Sequence, residues 1–330
     1  MKIIVDAFGG DNAPLEILKG CRRAADKLGI TMVLAGPEDQ IKACAAENKI
    51  SLRGMEILHA PAVFEMEYEP QTILREHGDT SMAAGLKALA AKEGYDAFVS
   101  AGSTGALMVG ATLIVKRIRG VRRAAIGAVM PTAGRPFILL DAGANSECTA
   151  EMLGNFALLG SVYAKHVLGA ENPRVGLVNN GTEANKGDPL RQEAHALLSE
   201  RANINFIGNI EARELPLGGC DVAVTDGFTG NVMLKLYEGT GKMFIGKLKG
   251  LFLGNPLGWL AALPAAPGLL KMKKQMDYKE YGGAPLLGID GIVIKAHGSS
   301  DAKAIFHAIR QAKACAEGRL AETIREGLRA

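Results

Sequence analysis

The chain has 330 residues, of which 48% are hydrophobic and 22% charged, and this balance excludes a disordered chain. Its length allows one large domain or two smaller ones. The formal net charge is only +3 and aromatic residues make up 5%, so neither a basic surface nor an aromatic platform predicts nucleic-acid binding.

Short apolar runs alternate with longer helical stretches along the chain. The runs are nearly continuous, as in strands buried on both faces. They predict strands at 2–7, 31–35, 55–59, 97–100, 124–130, 137–141, 174–178, 204–207, 222–225 and 291–296. The stretches between them predict helices at 15–28, 81–92, 106–118, 150–167, 190–201 and 301–316. This alternation predicts an α/β protein with a largely parallel sheet.

The N-terminus and the cysteines indicate the compartment. Only four apolar residues precede Asp6, which predicts a strand and not a signal peptide. The five cysteines form no CxxC motif, and their number is odd: Cys21, Cys44, Cys148, Cys220 and Cys315. We therefore expect reduced thiols in a cytoplasmic protein.

Six polar, glycine-rich loops follow predicted strands. They cover residues 6–14, 100–106, 141–145, 179–187, 226–231 and 297–300. The carboxyl ends of parallel strands share one edge of a sheet, and ligands bind there in open α/β folds. The loops therefore predict one site.

The loop with Ser103, Thr104 and Gly105 has the composition of an anion-binding turn, because small residues let backbone N–H groups point inward. The alternative is an ordinary N-cap for the next helix. Lys186, in another loop, is a candidate cation for a phosphate, and its alternative is an exposed loop lysine. The chain has no Walker A motif and no GxGxxG fingerprint, which weakens the case for a nucleotide cofactor.

Amide side chains are numerous in these loops. Asn145, Asn180 and Asn231 could polarise a carbonyl, although each is also a common turn residue. His297 could donate to a phosphate or a leaving group, or could cap the following helix. No GxSxG, HExxH or Cys/His set is present, so the inventory favours direct transfer with a bound phosphate as the nucleophile.

Residues 251–270 form an uncharged stretch of twenty residues, which is long enough to span a bilayer. Pro256, Pro264 and Pro267 interrupt the stretch, so we expect two short helical pieces instead of a membrane span.

The motifs as an ordered set resemble the bacterial phosphate acyltransferase family, the acyl-ACP:phosphate acyltransferases. The matching segments lie between residues 6 and 300: DAFGGDNAP, SAGSTGA, DAGAN, NNGTEANKG, DGFTGN and YGGAPLLGIDGIVIKAHGSS. The resemblance implies a three-layer αβα fold like those of isopropylmalate dehydrogenase and phosphotransacetylase, in one domain over 1–330, and a homodimer. It also implies transfer of a long-chain acyl group from acyl carrier protein (ACP) to inorganic phosphate, for glycerol-3-phosphate acylation in phospholipid synthesis.

We expect no cofactor and no metal for such a reaction. Lys186, Asn231 and His297 are then the expected catalytic residues. The expected substrate-binding residues lie in the same loops: Ser103, Thr104, Gly105, Asn145, Asn180, Asp226 and Gly230.

The hydrophobic hairpin at about 247–274 would deliver the product at a membrane. Its expected membrane contacts are Leu251, Phe252, Leu253, Leu257, Trp259 and Leu260, and its lysines, Lys247, Lys249, Lys271, Lys273 and Lys274, would meet anionic headgroups. Burial in a dimer interface is the alternative. A second basic cluster either complements a helix C-terminus or docks acidic ACP: Lys116, Arg117, Arg119, Arg122 and Arg123.

Three other functions stay open. An NAD-dependent decarboxylating dehydrogenase on the same fold would need a metal held by aspartates such as Asp141 and Asp226. A phosphotransacetylase would use short acyl-CoA in place of acyl-ACP. A membrane-docked scaffold would bind acyl-ACP without turnover.

Overall fold

The computed structural model describes residues 1–253, 264, 266–268, 272 and 282–329. Its strands, in chain order, are β1 (Lys2–Asp6), β2 (Thr31–Gly36), β3 (Met55–His59), β4 (Ala97–Ser100), β5 (Ala125–Ile126), β6 (Ala128–Met130), β7 (Phe137–Leu140), β8 (Val175–Asn179), β9 (Phe206–Glu211), β10 (Val222–Val224), β11 (Ala284–Leu287) and β12 (Ile292–Lys295). The helices named below are α1 (Leu15–Leu28), α2 (Glu38–Glu47), α3 (Ser81–Ala91), α4 (Thr104–Gly110), α5 (Ala150–His166), α6 (Pro189–Ser199), α7 (Gly227–Leu253), α8 (Ala302–Glu317) and α9 (Leu320–Gly327). A π-helical turn, Ala111–Val115, continues α4, and short 3-10 helices cover Pro70–Ile73 and Ala212–Leu217.

The described strands form two sheets. The first has the order β3-β2-β1-β4-β12-β11-β5 and is parallel except for β11, which is antiparallel to both of its neighbours. The second has the order β6-β7-β10-β8-β9, with β6 alone antiparallel to its neighbour. The predicted α/β class with largely parallel strands is confirmed, but the strands divide between two sheets.

Gly127 lies where the chain passes from one sheet to the other. The single strand predicted at 124–130 is two strands, β5 in the first sheet and β6 in the second. A Cβ at Gly127 would lie 2.8 Å from Cδ1 of Ile138, and its N–H donates to the Pro285 carbonyl at 2.9 Å. A side chain at this position would displace the end of the Ile138 side chain, and the short crossing at Gly127 connects the two sheets.

Helices cover both faces of the sheets, as predicted for a three-layer fold. Ile3 and Val5 of β1 pack into one core cluster and Ile4 into the other, so β1 is buried on both faces. In β7, Ile138 and Phe137 divide between the clusters in the same way. Side chains of α1, α5 and α8 complete the first cluster, and those of α3 and α4 the second.

The structure contains elements that the sequence patterns did not predict. Strand β11 begins after two glycines and contains a proline, which is a pattern typical of a loop. Helix α7 begins at Gly227, inside one of the glycine-rich loops, and extends to Leu253. Helices α2 and α9 were also missed. None of the helices in the described ranges is long and apolar enough to cross a bilayer.

Candidate active site

A cleft of about 460 Å³ lies between the two sheets. Three of the predicted residues line it, Thr104, Asn231 and His297, although they come from loops of different sheets. Ile126, Val129, Met130 and Leu234 form an apolar wall. Among the described residues, Lys235, Glu238 and Lys295 bring charged side chains to the cleft. The six loops follow strands of both sheets: those after β1, β4 and β12 belong to the first, and those after β7, β8 and β10 to the second.

The loop after β4 has a structural role at Ser103. Its Oγ accepts the Ala106 N–H at 3.4 Å and caps α4, as in the alternative interpretation. Gly105 lies so close to Pro70 that a Cβ there would be 2.8 Å from Pro70 Cγ. Thr104, the exposed member of the triplet, is the one that reaches the cleft.

Buried polar groups fix the first-sheet loops around Asp6, the last residue of β1. Its carboxylate accepts from the hydroxyls of Ser81 at 2.7 Å and Ser100 at 2.8 Å. Burial raises the pKa of Asp6, while these hydrogen bonds and the charge of Lys295 oppose the rise. Ser100 also accepts the Gly102 N–H at 3.0 Å, so the ends of β1 and β4 and the loop after β4 are held together.

Lys295, at the end of β12, is a site residue that the sequence patterns did not single out. Its side chain is buried, and its Nζ donates to the carbonyls of Ala101, at 3.2 Å, and Ala296. Burial lowers the pKa of this ammonium to about 8, and the nearby carboxylates of Asp6 and Asp11 limit the shift. A lysine that ends an apolar strand directly before the His297 loop was the only signal in the sequence.

In the second sheet, Asp141 accepts hydrogen bonds from its own loop and from β5. Its carboxylate accepts the backbone N–H groups of Ile126 at 3.0 Å and Gly143 at 3.2 Å, and further bonds from Ala144 and Asn145. Asn145 donates its amide to this carboxylate and to the Ala124 carbonyl, each at 2.9 Å. Burial raises the pKa of Asp141, and its hydrogen bonds work against the rise. These contacts give Asn145 a loop-fixing role in this structure.

Asp226 and Gly230 fix the start of α7. The Asp226 carboxylate accepts the Thr229 N–H and hydroxyl, each at 2.8 Å, and forms an ion pair with Arg191. Burial alone would raise the pKa of Asp226, but these partners outweigh it and the net shift is downward. A Cβ at Gly230 would lie 1.9 Å from the Asp141 carbonyl oxygen, so only glycine allows this approach. The contact brings Asn231 of α7 against Gly143 at the cleft.

Asn180 and Lys186, in the loop after β8, are not among the described residues that line the cleft. Both side chains are exposed. The backbone is ordered by Asn179, whose amide donates to the Lys186 carbonyl at 3.1 Å. The predicted roles of Lys186 and Asn180 therefore stay predictions.

His297 lies at the mouth of the cleft on an exposed loop. Its Nδ1 accepts the Ser299 N–H at 3.2 Å and lies 3.0 Å from the Ser299 hydroxyl. These contacts orient the imidazole ring, so that Nε2 is the nitrogen better placed to meet a ligand.

Helix α7 carries exposed apolar side chains beyond the cleft. They recur at helical spacing: Phe228, Val232, Leu236, Met243 and Leu251. Of the predicted membrane contacts, Leu251 is 66% exposed and Phe252 is partly buried. The Leu253 side chain and Leu257, Trp259 and Leu260 lie outside the described residues, as do Lys271, Lys273 and Lys274, whereas Lys247 and Lys249 are exposed.

The second basic cluster is exposed at the end of the α4 helical run and in the turn before β5. Its members are Lys116, Arg117, Arg119, Arg122 and Arg123. Arg122 forms an ion pair with Glu151 at 2.7 Å, and the Arg117 guanidinium donates to the Arg122 carbonyl.

Comparisons with known proteins agree with this architecture. The model of the fatty acid synthesis protein family matches residues 1–323. A phosphate acyltransferase of Desulfitobacterium hafniense is 45% identical over 330 residues, covering 99% of this chain and 98% of the relative. One of Acetivibrio thermocellus is 44% identical over 327 residues, covering 99% and 96%.

Solved phosphotransacetylases share the fold. The EutD enzyme of Staphylococcus aureus has a TM-score of 0.62 at 18% identity and covers 95% of this chain and 94% of its own. A phosphotransacetylase of Streptococcus pyogenes has a TM-score of 0.63 at 17% identity, with coverage of 96% and 94%.

Proposed function

Because the chain belongs to the fatty acid synthesis protein family, alongside relatives named phosphate acyltransferase, we propose that it moves a long-chain acyl group reversibly from ACP to inorganic phosphate. The coarser class, an acyltransferase, follows from the family itself. The long acyl chain, the carrier protein and the use of the acyl-phosphate for glycerol-3-phosphate acylation are the proposed parts.

The cleft between the sheets is the observation that carries the proposal. It joins hydrogen-bonding groups (Thr104, Asn231 and His297) to an apolar wall that includes Met130 and Leu234. A thioester carbonyl and a phosphate need the polar groups, and an acyl chain needs the apolar wall. No other surface described above combines the two.

The reaction needs positioning and charge stabilisation more than a strong base. A phosphate oxygen attacks the thioester carbonyl, the new C–O bond forms, and the C–S bond then breaks to release the pantetheine thiolate. Asn231, with Asn180, would stabilise the oxyanion by hydrogen bonding. Thr104 with Ser103 and Gly105 would hold the phosphate, Lys186 would offset its charge, and His297 would assist the phosphate or the departing sulfur.

We extend the proposal to the partners. The exposed basic cluster around Arg119 suits an acidic carrier protein, although helix-end complementation remains the alternative. The exposed apolar face of α7 suits a homodimer, a peripheral contact with an anionic membrane near a glycerol-3-phosphate acyltransferase, or both. Flotation with anionic vesicles and analytical sedimentation of a Leu251→Glu variant separate the two contacts. If the face contacts lipid only, the variant floats less but keeps its dimeric mass.

The direct test is thiol release from palmitoyl-ACP, with and without inorganic phosphate, in metal-free buffer. The proposal predicts release that depends on phosphate and yields an equal amount of acyl-phosphate. Turnover that requires a divalent metal and NAD would favour the dehydrogenase. Preference for short acyl-CoA would favour a phosphotransacetylase, and tight acyl-ACP binding without release would favour a scaffold.

A further inference from the structure

Lys295 is a buried cation at the cleft, and the proposed reaction has not yet used it. Its exposed fraction is only 8%, although it lines the cleft beside Ala296 and His297. Taking an ammonium out of water costs several kcal/mol unless it is paired and hydrogen-bonded. Such a cost calls for a compensating partner.

The partners that Lys295 has among the described residues do not satisfy the whole ammonium group. A lysine ammonium has three N–H donors. Two of them meet the carbonyls of Ala101 and Ala296, which lie in the loop after β4 and at the end of β12. In the parts of the chain that the structure describes, the third has no acceptor within hydrogen-bonding distance.

Among the described residues, no carboxylate forms a direct ion pair with Lys295. Asp6 is committed to the hydroxyls of Ser81 and Ser100, and both Asp6 and Asp11 act on Lys295 through space. The other titratable groups that face the cleft are His297 on the following loop and Lys235 and Glu238 on α7. The buried ammonium therefore retains a positive charge and a donor for an anion in the cleft.

We propose that Lys295 is the phosphate-binding cation of the cleft, donating its third N–H to an oxygen of inorganic phosphate. The proposal rests on the proposed acyl transfer to phosphate and adds a phosphate ligand to it. Thr104, which lines the same cleft, offers a hydroxyl for a second bond.

This role fits the balance of the reaction. Lys295 keeps its proton throughout: a phosphate oxygen forms the new bond to the acyl carbon, the thiolate leaves, and the ammonium offsets phosphate charge in both states. A charge-assisted bond of this kind is stronger than one from a neutral donor. It is also lost when the ammonium deprotonates, which provides a pH test.

The experiment compares Lys295→Met, Lys295→Arg and the matched control Lys87→Met. Lys87 also donates its ammonium to a backbone carbonyl, that of Gly78 at 2.6 Å, but on the exposed side of α3. We expect the KM for phosphate to rise at least ~10-fold in Lys295→Met, with the KM for acyl-ACP changing less than ~2-fold. Lys295→Arg should recover most of the phosphate affinity, and Lys87→Met should match the wild type.

A second readout does not depend on a variant folding well. In the wild type, the KM for phosphate should rise as the pH passes about 8, while inorganic phosphate itself stays dianionic. The rise should be absent in Lys295→Arg, because guanidinium keeps its charge.

Each outcome decides the matter. A normal phosphate KM in folded Lys295→Met overturns the proposal but leaves the transferase function standing. If Lys295→Met does not fold, a phosphate KM that is flat from pH 7 to 9 in the wild type overturns it. If the wild type transfers no acyl group to phosphate, the proposed function fails. Calorimetric titration with inorganic phosphate then tests Lys295 separately. If the wild type binds phosphate and Lys295→Met binds it equally well, the role of Lys295 is overturned.

Discussion

The two sets of loops that meet at the cleft have similar compositions and different structures. In the first sheet, Asp6 and Lys295 are buried, and the hydrogen bonds around them leave the lysine with a donor to spare. In the second sheet, Asp141 and Asp226 are occupied by their own loops together with partners on β5 and α6, while Lys186 is exposed. The loops of the second sheet thus mainly position α7 and Asn231, and the first sheet supplies a buried charge.

The comparison separates residues that line the cleft from residues that hold the surrounding loops and helices in position. A polar residue after a buried strand can do either, because composition does not tell which hydrogen bonds its own loop will satisfy. Asn145 and Asn231 both follow strands of the second sheet, yet the Asn145 amide donates to Asp141 and to the Ala124 carbonyl, whereas Asn231 lines the cleft. The following predictions test this division.

Gly230→Ala should give the largest effect, because it attacks the contact that seats α7. The new Cβ would lie 1.9 Å from the backbone oxygen of Asp141, which cannot move aside as a flexible side chain can. We expect a loss of more than about 3 kcal/mol in the free energy of unfolding, measured by denaturant titration.

Gly239→Ala is the matched control in the same helix. Nothing lies within 4 Å of a Cβ at that position, so the variant should be stabilised by up to about 1 kcal/mol. Equal stabilities for the two variants would mean that the close approach of α7 to β7 is not essential.

Lys186→Ala tests the candidate cation on the loop after β8 of the second sheet. If Lys186 offsets phosphate charge in the transition state, kcat/KM should fall about 100-fold while the melting temperature stays unchanged, because the side chain is exposed. The assay is phosphate-dependent thiol release. Near-normal turnover would remove Lys186 from the mechanism and leave the positive charge at the cleft to the first sheet.

Asp226→Asn tests the structural role of the second sheet. The variant loses the ion pair with Arg191, whose side chain is 14% exposed, and should lose about 2 kcal/mol of stability at neutral pH. Folding lowers the pKa of Asp226, so its contribution to the free energy of unfolding is present at pH values above the ordinary aspartate pKa. This contribution is lost as the pH falls through the lowered pKa of the folded state.

Asp188→Asn is the control for this change, because Asp188 also pairs with Arg191 but is 52% exposed. An asparagine there still caps α6, so the loss should stay below about 1 kcal/mol. If both variants lost the same stability, the burial of Asp226 would not make its ion pair with Arg191 more stabilising than the exposed one.

The smallest predicted effect is a pH dependence of stability from Lys295. Folding lowers its pKa to about 8 from an ordinary value of about 10.4, so the unfolded chain binds more protons between these values. Without phosphate, the stability of the wild type relative to Lys295→Met should therefore rise by about 1 kcal/mol between about pH 8 and pH 9. Thermal unfolding of both proteins at each pH measures this difference, and a constant or falling difference contradicts the burial of the charge.

The sequence predicted most of the fold because its strands are buried on both faces and so form continuous apolar runs. The predicted strands at 55–59 and 97–100 coincide with β3 and β4. The division into two sheets escaped prediction because 124–130 is apolar throughout, and Gly127 shows its role only through its contact with Ile138. Helix α7 was missed because it starts among glycines that a tertiary contact requires.

The site was predicted in part, for a similar reason. Thr104, Asn231 and His297 lie at the cleft, as residues after strands that the topology brings together. Lys295 was overlooked because a lysine at the end of a strand usually points to solvent. Its burial depends on the loop that contains Ala101, 194 positions away along the chain, and no local pattern encodes that contact.

The most direct test of the account is acyl-phosphate formation from palmitoyl-ACP by the wild type, Asn231→Ala and the control Asn205→Ala. Asn205 is a partly buried asparagine whose amide donates to the Asn172 carbonyl, and it is not among the residues that line the cleft. We predict that the wild type and Asn205→Ala form acyl-phosphate at equal rates and that Asn231→Ala is about 100-fold slower, as when one oxyanion donor is removed. Full activity in folded Asn231→Ala, or no acyl-phosphate from the wild type, would contradict transfer in the cleft between the sheets.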